Sequence, residues 1–406
     1  MRLSPWLLPL LVAVTAAAGG CKKKKGPIDA PPPPPPIDAK DTSTGAGPGP
    51  REVVPLGEPF SAEPDGAASE PGLAVDRDGK ALLAWIEKGR VRVRRWSGQA
   101  WDPVGLPPND ATHRASGKPS LAVEESGDVV VAWQEMNKQD VSVLRAARWK
   151  DGAWAALPEL GSGTQAVMDP IVEPSPVGLV AVWREADAAG KDVVQVRAYD
   201  EAKGWQPLGD GVLRMVAEGT TRRAPALATS KVGVLVGWIE RAPSDVLHLR
   251  RWDAGASKWV EVPAPEGVDG DSTVAVALGP DGTVTVALSY TIGLRQVVTL
   301  APGASEWKKI DVPEVSNGYA SGQRLRSAPD GRTIFTYSFG GRFAWWDGDD
   351  WTATPVGVMA PSTIVPVTAA GENGAVFVGW SAGPANAPAK VRVVEVKKHP
   401  AGGAKP

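Results

Sequence analysis

Short apolar runs, each closed by an aromatic residue, recur along the whole chain. They end at Trp85, Trp133, Trp183, Trp238, Tyr290, Tyr337 and Trp380, and between them polar, glycine-bearing stretches return with the same rhythm. The second repeat shows the full pattern. Pro119 to Val123 reads as a strand and Glu124-Glu125-Ser126-Gly127 as a tight turn, with glycine where a positive φ is wanted. Val129 to Trp133 is a second strand and Val141 to Trp149 a third. After the Lys150-Asp151-Gly152 turn, Trp154 to Leu157 is a fourth. Four short strands separated by turn signals predict one antiparallel sheet per repeat. The run before each aromatic residue is apolar at consecutive positions, as in Leu82-Leu83-Ala84-Trp85 and Val234-Leu235-Val236-Gly237-Trp238. A strand with no polar side must be covered on both faces.

Sheets stacked face to face around an axis meet that demand, so the fold expected is all-β: a seven-bladed β-propeller of four-stranded antiparallel blades. The third strands are expected to end at Trp96, Trp149, Tyr199, Trp252, Leu300 and Trp346. The fourth are expected to open at Trp101, Trp154, Trp205, Trp259, Trp307 and Trp351. The seventh repeat has a first strand near Ile364 to Thr368, a second at Val376 to Trp380 and a third at Val391 to Val396, but no fourth. The missing piece stands at the other end of the domain. Val53-Val54-Pro55-Leu56-Gly57 matches the fourth strands Trp101-Asp102-Pro103-Val104-Gly105 and Trp205-Gln206-Pro207-Leu208-Gly209. An N-terminal strand that completes the last blade would close the ring and remove its open edge. The propeller is expected to occupy 51–397, with 398–406 as a disordered tail.

The turn glycine, the Ala-Trp end of the second strand and the Trp-x-Gly-x-x-Trp element at Trp96 to Trp101 resemble bacterial propeller modules of the sialidase-like and Kelch-like repeats. The resemblance implies a fold and no particular activity, because propellers host many unrelated functions.

Outside the repeats the pattern changes. Arg2 precedes an apolar stretch from Leu7 to Ala18 that is too short to span a bilayer as a helix. Residues 1–20 therefore read as a secretory signal peptide. Ala18-Gly19-Gly20-Cys21 resembles the lipobox of bacterial lipoproteins, which implies lipid attachment at Cys21; Ala18 departs from the more usual Leu. Lys22 at the second mature position resembles lipoproteins sent to the outer membrane. Lys22 to Lys25 suit either anionic head groups or linker solubility. Pro31 to Pro36 and the Gly, Ser, Thr and Ala that follow have no core-forming composition, so 21–50 is expected to be a disordered stalk.

The remaining chemistry is sparse. A net charge of −2 leaves no electrostatic footprint for nucleic acid. The lone cysteine permits no internal disulfide, and His113, His248 and His399 have no metal-ligand spacing, so no cofactor or metal is expected. The 17 tryptophans read as a carbohydrate-stacking surface or as blade packing, and their apolar neighbours favour packing. Trp345, beside Trp346, stands outside the columns and is a candidate ligand residue. Glu87, Glu135, Glu185 and Glu240 each follow a strand-ending Trp by two residues. They are candidates for an acidic ligand face, or for cross-strand pairing with basic residues, with Glu87 opposite Arg90 and Trp85 opposite Arg92. The longer inter-blade connections, Leu106 to Lys118 and Gly209 to Ala224, place any ligand on their face near the central channel. Sialidase-type chemistry would need Tyr319 beside a carboxylate and the loop arginines Arg114, Arg222, Arg223 and Arg324; the Asp-box pattern of that family is absent, and Trp346 to Trp351 only echoes it. The expected function is a non-catalytic binding or scaffold module, lipid-anchored in the envelope, for a protein or polysaccharide. A lectin and a sialidase-type hydrolase are the alternatives.

Overall fold

The computed structural model describes residues 52–397, apart from 64, 70, 110–112, 137–141, 162–165, 215–219, 222, 242–243, 267–272, 291–292, 312–320, 329–331, 340–341, 347–350, 354–365, 372–373 and 384–387. The signal peptide, Cys21, the stalk, Tyr319 and the tail lie outside the described residues.

The described strands form seven antiparallel sheets; in six of them the four main strands lie in chain order, and in the seventh the first strand of the domain pairs with the last. Blade 1 is Gly72–Val75, Ala81–Glu87, Arg90–Trp96 and Trp101–Pro103. Blade 2 is Arg114–Val123, Val129–Met136, Ser142–Lys150 and Ala153–Ala156. Blade 3 is Val167–Ser175, Gly178–Ala186, Asp192–Asp200 and Gly204–Leu213. Blade 4 is Ala226–Ser230, Gly233–Arg241, Asp245–Asp253 and Lys258–Val262, with Thr220–Thr221 added beside its second strand. Blade 5 is Thr273–Leu278, Val284–Tyr290, Gly293–Leu300 and Lys308–Ile310. Blade 6 is Ser321–Ser327, Thr333–Phe339, Arg342–Trp346 and Trp351–Ala353. First strands of successive blades touch one another around the ring, and that of blade 7 touches that of blade 1.

Blade 7 has the predicted composite build. Its strands Val367–Ala370, Val376–Ala382 and Lys390–Lys397 come from the end of the domain, and its outer strand, Glu52–Pro55, comes from the beginning. Val53 pairs with Val396 and Pro55 with Val394, and the Leu56 N–H continues the ladder to the Val393 carbonyl at 2.9 Å.

The continuous apolarity of the second strands now has its cause. Leu82 and Ala84 join a core cluster shared with blade 2, whereas Leu83 and Trp85 join one shared with blade 7. Period-2 alternation is still present, but both faces are dry. Each second-strand Trp faces the preceding blade: Trp133 sits in the cluster between blades 1 and 2, Trp183 in that between 2 and 3, and Trp238 in that between 3 and 4.

The long connections differ from expectation. Arg114 to Ser116 continue the first strand of blade 2, pairing with Met136 to Gln134 across a register shift before Ser120. Thr220 and Thr221 likewise pair with Arg241 and Glu240. The second strands run two or three residues past the Trp, and their exposed ladder edge recruits the start of the connection, since buried backbone groups must find partners.

Candidate functional site

Three polar constructions repeat or stand out on this scaffold, and each begins from residues that a purely apolar blade would not need. In the first, an indole donates to the carboxylate two residues on. Trp85 Nε1 donates to Glu87 at 2.8 Å, Trp133 to Glu135 at 2.9 Å, Trp183 to Glu185 at 2.9 Å and Trp238 to Glu240 at 3.1 Å. In a strand, residues i and i+2 share a face, so Trp and Glu both lean toward the preceding blade. All four carboxylates are buried.

Glu87 and Glu135 also hold the connections entering their blades. Glu87 accepts the backbone N–H groups of Ala62 and Glu63, both at 2.8 Å, and Glu135 accepts the Asn109 amide at 3.1 Å. Gly66 packs so closely on Glu87 that a Cβ there would stand 1.6 Å from Oε1. The register is the one read from the sequence, with Glu87 opposite Arg90 and Trp85 opposite Arg92. The ion-pair partners are different: Arg92 and Lys88 both reach Glu63, each at 2.6 Å. Glu135 does meet a cation, Arg145 at 3.3 Å, on the residue opposite Trp133. In blade 4 the residue opposite Trp238 is His248. It stacks on that indole at 5.2 Å, and burial holds its pKa below the ordinary histidine value.

The second construction lies at the outer edge. The fourth-strand Trp of one blade donates its indole N–H to a backbone carbonyl on the outer segment of the blade before. Trp101 reaches Leu56 at 2.8 Å, Trp154 reaches Val104 at 2.5 Å, Trp205 reaches Pro158 at 3.0 Å, Trp259 reaches Leu208 at 2.9 Å and Trp307 reaches Pro263 at 3.1 Å. The glycine after three of these acceptors, Gly57, Gly105 and Gly209, has a φ near +70° and lies under the indoles. At Gly209 a Cβ would come within 2.9 Å of Trp252. The closing strand thus makes the same clasp on blade 1 as the outer segments of blades 1 to 4 make on their successors.

The third construction breaks the repeat. The first-strand residue paired with the position three before the closing aromatic is Ala74, Ala122, Ala228, Ala275 and Ala369 in blades 1, 2, 4, 5 and 7. In blade 3 it is Glu173 and in blade 6 it is Arg326. These two form an ion pair between non-adjacent blades, and Thr229 donates to Glu173 at 3.1 Å. The inner strands of blades 4 and 6 also touch, so the ring's interior is narrow where the pair crosses it. Burial pushes the Glu173 carboxyl above the usual carboxylate range, against the pull of Arg326. A carboxyl with a raised folded pKa contributes stability that is fully present below its unfolded value and is lost as pH rises through the folded value. Removing the opposing cation raises that value further. Arg326→Gln is therefore expected to lose ~2 kcal/mol at pH 8 and less at pH 5, while Glu173→Gln flattens the dependence. Urea unfolding at the two pH values checks both.

An open site exists between blades 1 and 2. A cleft of about 310 Å³ is lined by Asp76, Asp78, Arg95, Trp149, Lys150 and Asp151, among others. It opens among the short turns, from first to second and from third to fourth strand, and not among the long connections where a ligand was expected. Arg95 is held by Asp76 at 2.5 Å and by Asp78 at 2.7 Å. Trp149 is half-buried and packs against Trp154.

No family model and no curated protein matches the chain. Solved structures do match it. One is a polysaccharide lyase of family PL25, an ulvan lyase bound to -[GlcA(1-4)Rha3S]-, with a TM-score of 0.53 at 10% identity over 82% of this chain and 94% of that one. The polysaccharide lyase Uly1 gives 0.52 at 10% identity over 89% and 94%. A fungal alcohol oxidase of the AA5 family, in complex with copper, gives 0.53 at 12% identity over 84% and 76%. The fold is a β-propeller. At such identities the likeness carries the architecture and no activity.

Of the site residues read from the sequence, the four glutamates are brought to equivalent buried positions facing the blade-entry connections. Trp345 pairs through its backbone with Thr336 and Thr352, and its side chain lies outside the described residues. Arg222 and Tyr319, two of the residues a sialidase-type site would need, are outside them as well. The cleft, the outer clasps and the pair across the ring are features that the sequence pattern does not mark as sites. A signal for the pair was present: Glu173 and Arg326 are the two charges in an otherwise alanine column.

Proposed function

We propose that this chain is a non-catalytic binding propeller of the cell envelope, lipid-anchored through Cys21 in the outer membrane and held off the surface by its proline-rich stalk. The observation that carries the binding role is the cleft between blades 1 and 2, where an aromatic ring and charged side chains line an open space over a ring whose repeated polar groups are spent on its own structure. Such a site can hold a ligand without reorganising the scaffold, which limits the ordering cost of binding. A lectin is the second reading. It is favoured by the same Trp149 beside Asp76, Asp78 and Asp151, since sugars stack on indoles and donate hydroxyls to carboxylates.

The test is capture from envelope extract by the immobilised full chain, with protease-treated and periodate-treated extract in parallel. Loss after protease alone supports a protein partner, and loss after periodate alone supports the lectin. Capture that is unaffected by cleft substitutions would remove the binding role from this site. The anchor is tested separately. Cys21→Ser is expected to move the protein from the membrane fraction to the soluble fraction, and continued retention in membranes would count against lipidation.

A further inference from the structure

The cleft between blades 1 and 2 has a filled counterpart between blades 2 and 3, and the comparison indicates what belongs in it. In the filled gap the residue before the aromatic end of the third strand is Arg148. Its guanidinium is held at 2.7 Å by Glu124, at the first turn of its own blade. It then crosses to blade 3, lies 5.1 Å from the centroid of the Tyr199 ring and pairs with Glu201 at 2.5 Å. Glu201 follows Tyr199 by two residues, at the turn from third to fourth strand.

The same positions one blade earlier are Arg95, Asp76, Trp149 and Asp151. Arg95 meets Asp76 as Arg148 meets Glu124. Its second bond goes to Asp78 on its own blade, where blade 2 has Ser126. The receiving half of the gap, an aromatic ring followed two residues later by a carboxylate, is therefore present, but among the described residues no guanidinium lies over the Trp149 ring or pairs with Asp151; Arg77, which also lines the cleft, extends instead toward Gly127. Asp151 is exposed and has no ion-pair partner among the described residues, and the cleft occupies the space in front of it.

We infer that this cleft is a receptor for the guanidinium group of an arginine side chain on a protein partner. The group would stack on Trp149 and pair with Asp151, as Arg148 does on Tyr199 and Glu201. The inference rests on the binding-module reading and names its ligand chemistry. Planar guanidinium suits the site better than ammonium, because it can stack and pair at the same time.

The experiment titrates the full chain with N-acetyl-arginine methylamide, its neutral citrulline counterpart, the lysine counterpart, free arginine and the peptide Gly-Arg-Gly. The readout is the indole N–H resonance of Trp149, assigned with Trp149→Phe. The arginine amide is expected to shift that resonance and to bind about tenfold more tightly than the citrulline amide. Asp151→Asn should abolish the preference. Asn keeps the residue's left-handed backbone, φ +51°, so the melting temperature should hold. Stronger binding of Gly-Arg-Gly than of free arginine supports a protein-borne group; the reverse overturns that part and points to a small metabolite. Equal binding of arginine and citrulline amides, or a preference that survives Asp151→Asn, overturns the inference. A saccharide that shifts Trp149 while the arginine amide does not would also overturn it and leave the binding-module reading standing. Failure of envelope capture together with a clear arginine preference would do the opposite.

Discussion

Glu87→Leu is expected to destabilise the protein by about 3 kcal/mol or more. The carboxylate is buried and accepts three hydrogen bonds, from the Trp85 indole and from the Ala62 and Glu63 amides. Leucine fills similar volume and accepts none. Three donors would lose their partner, and each unsatisfied buried group costs about 1–3 kcal/mol. Water entering from the Ala62 side would lessen the loss, which sets the lower end of the range. Glu87→Gln retains one acceptor oxygen and should fall between the two. Chemical unfolding of the three proteins, with hydrogen exchange at Ala62 and Glu63, checks this. Equal stability of the leucine variant and the parent would show that the indole–carboxylate bond is incidental. Gly66, crowded against the same carboxylate, should tolerate no side chain while Glu87 is present.

Deleting Val53 to Gly57 should lower stability still further. The deletion removes most of the ladder to the third strand of blade 7, the buried Leu56 side chain and the carbonyl that receives the Trp101 indole. Loss of a buried leucine alone costs about 2–5 kcal/mol. The deletion also bares the edge of the Lys390–Lys397 strand, a template for association between molecules. A total of ~5 kcal/mol or more, read as a fall in Tm of at least ~10 °C, is expected together with oligomers on sizing. A truncated protein that melts with the parent and stays monomeric would show that the ring does not depend on its closing strand. Leu56→Ala offers a milder version that leaves the ladder intact.

Much of the architecture was legible in the sequence because its causes are local. A two-sided apolar strand has one structural meaning when it recurs with turn glycines, and the resemblance of Val53 to Gly57 to the fourth strands placed it in blade 7. The use made of the tryptophans was only partly legible. Their apolar neighbours marked them as packing residues, which explains the area they bury. It does not explain why Trp outnumbers Phe, 17 to 5. Hydrogen bonds supply that reason for nine of them: four second-strand rings donate to Glu, and five outer-strand rings donate to the preceding blade. Phenylalanine has no donor to offer. The Trp-x-Glu spacing at Trp85, Trp133, Trp183 and Trp238 was visible in the chain, but the direction of the bond depends on both side chains leaning to the same dry face.

The cleft was less legible because it arises from a difference between two equivalent gaps. Asp78 in place of Ser126 gives Arg95 a second partner at home, and no single-repeat pattern reveals the vacancy this leaves across the gap. The pair of Glu173 and Arg326 is hidden in the sequence for a related reason. Each is unremarkable within its own repeat, and only the superposed column of alanines shows that both depart from it, on opposite sides of the ring.

The composite blade also bears on the order in which the chain can reach its final state. The strand synthesised first in the domain, Glu52–Pro55, has as its ladder partner the strand synthesised last, Lys390–Lys397. Every other blade finds its four strands consecutively and can form while the rest of the polypeptide is still being made, but this joining has the longest loop to close and comes at the end. A nascent molecule therefore carries two unpaired strands whose complements are each other, and until they meet, a second nascent copy could supply either one. Fast pairing within one chain competes with exchange between chains, and the outcome depends on the local concentration of incomplete chains.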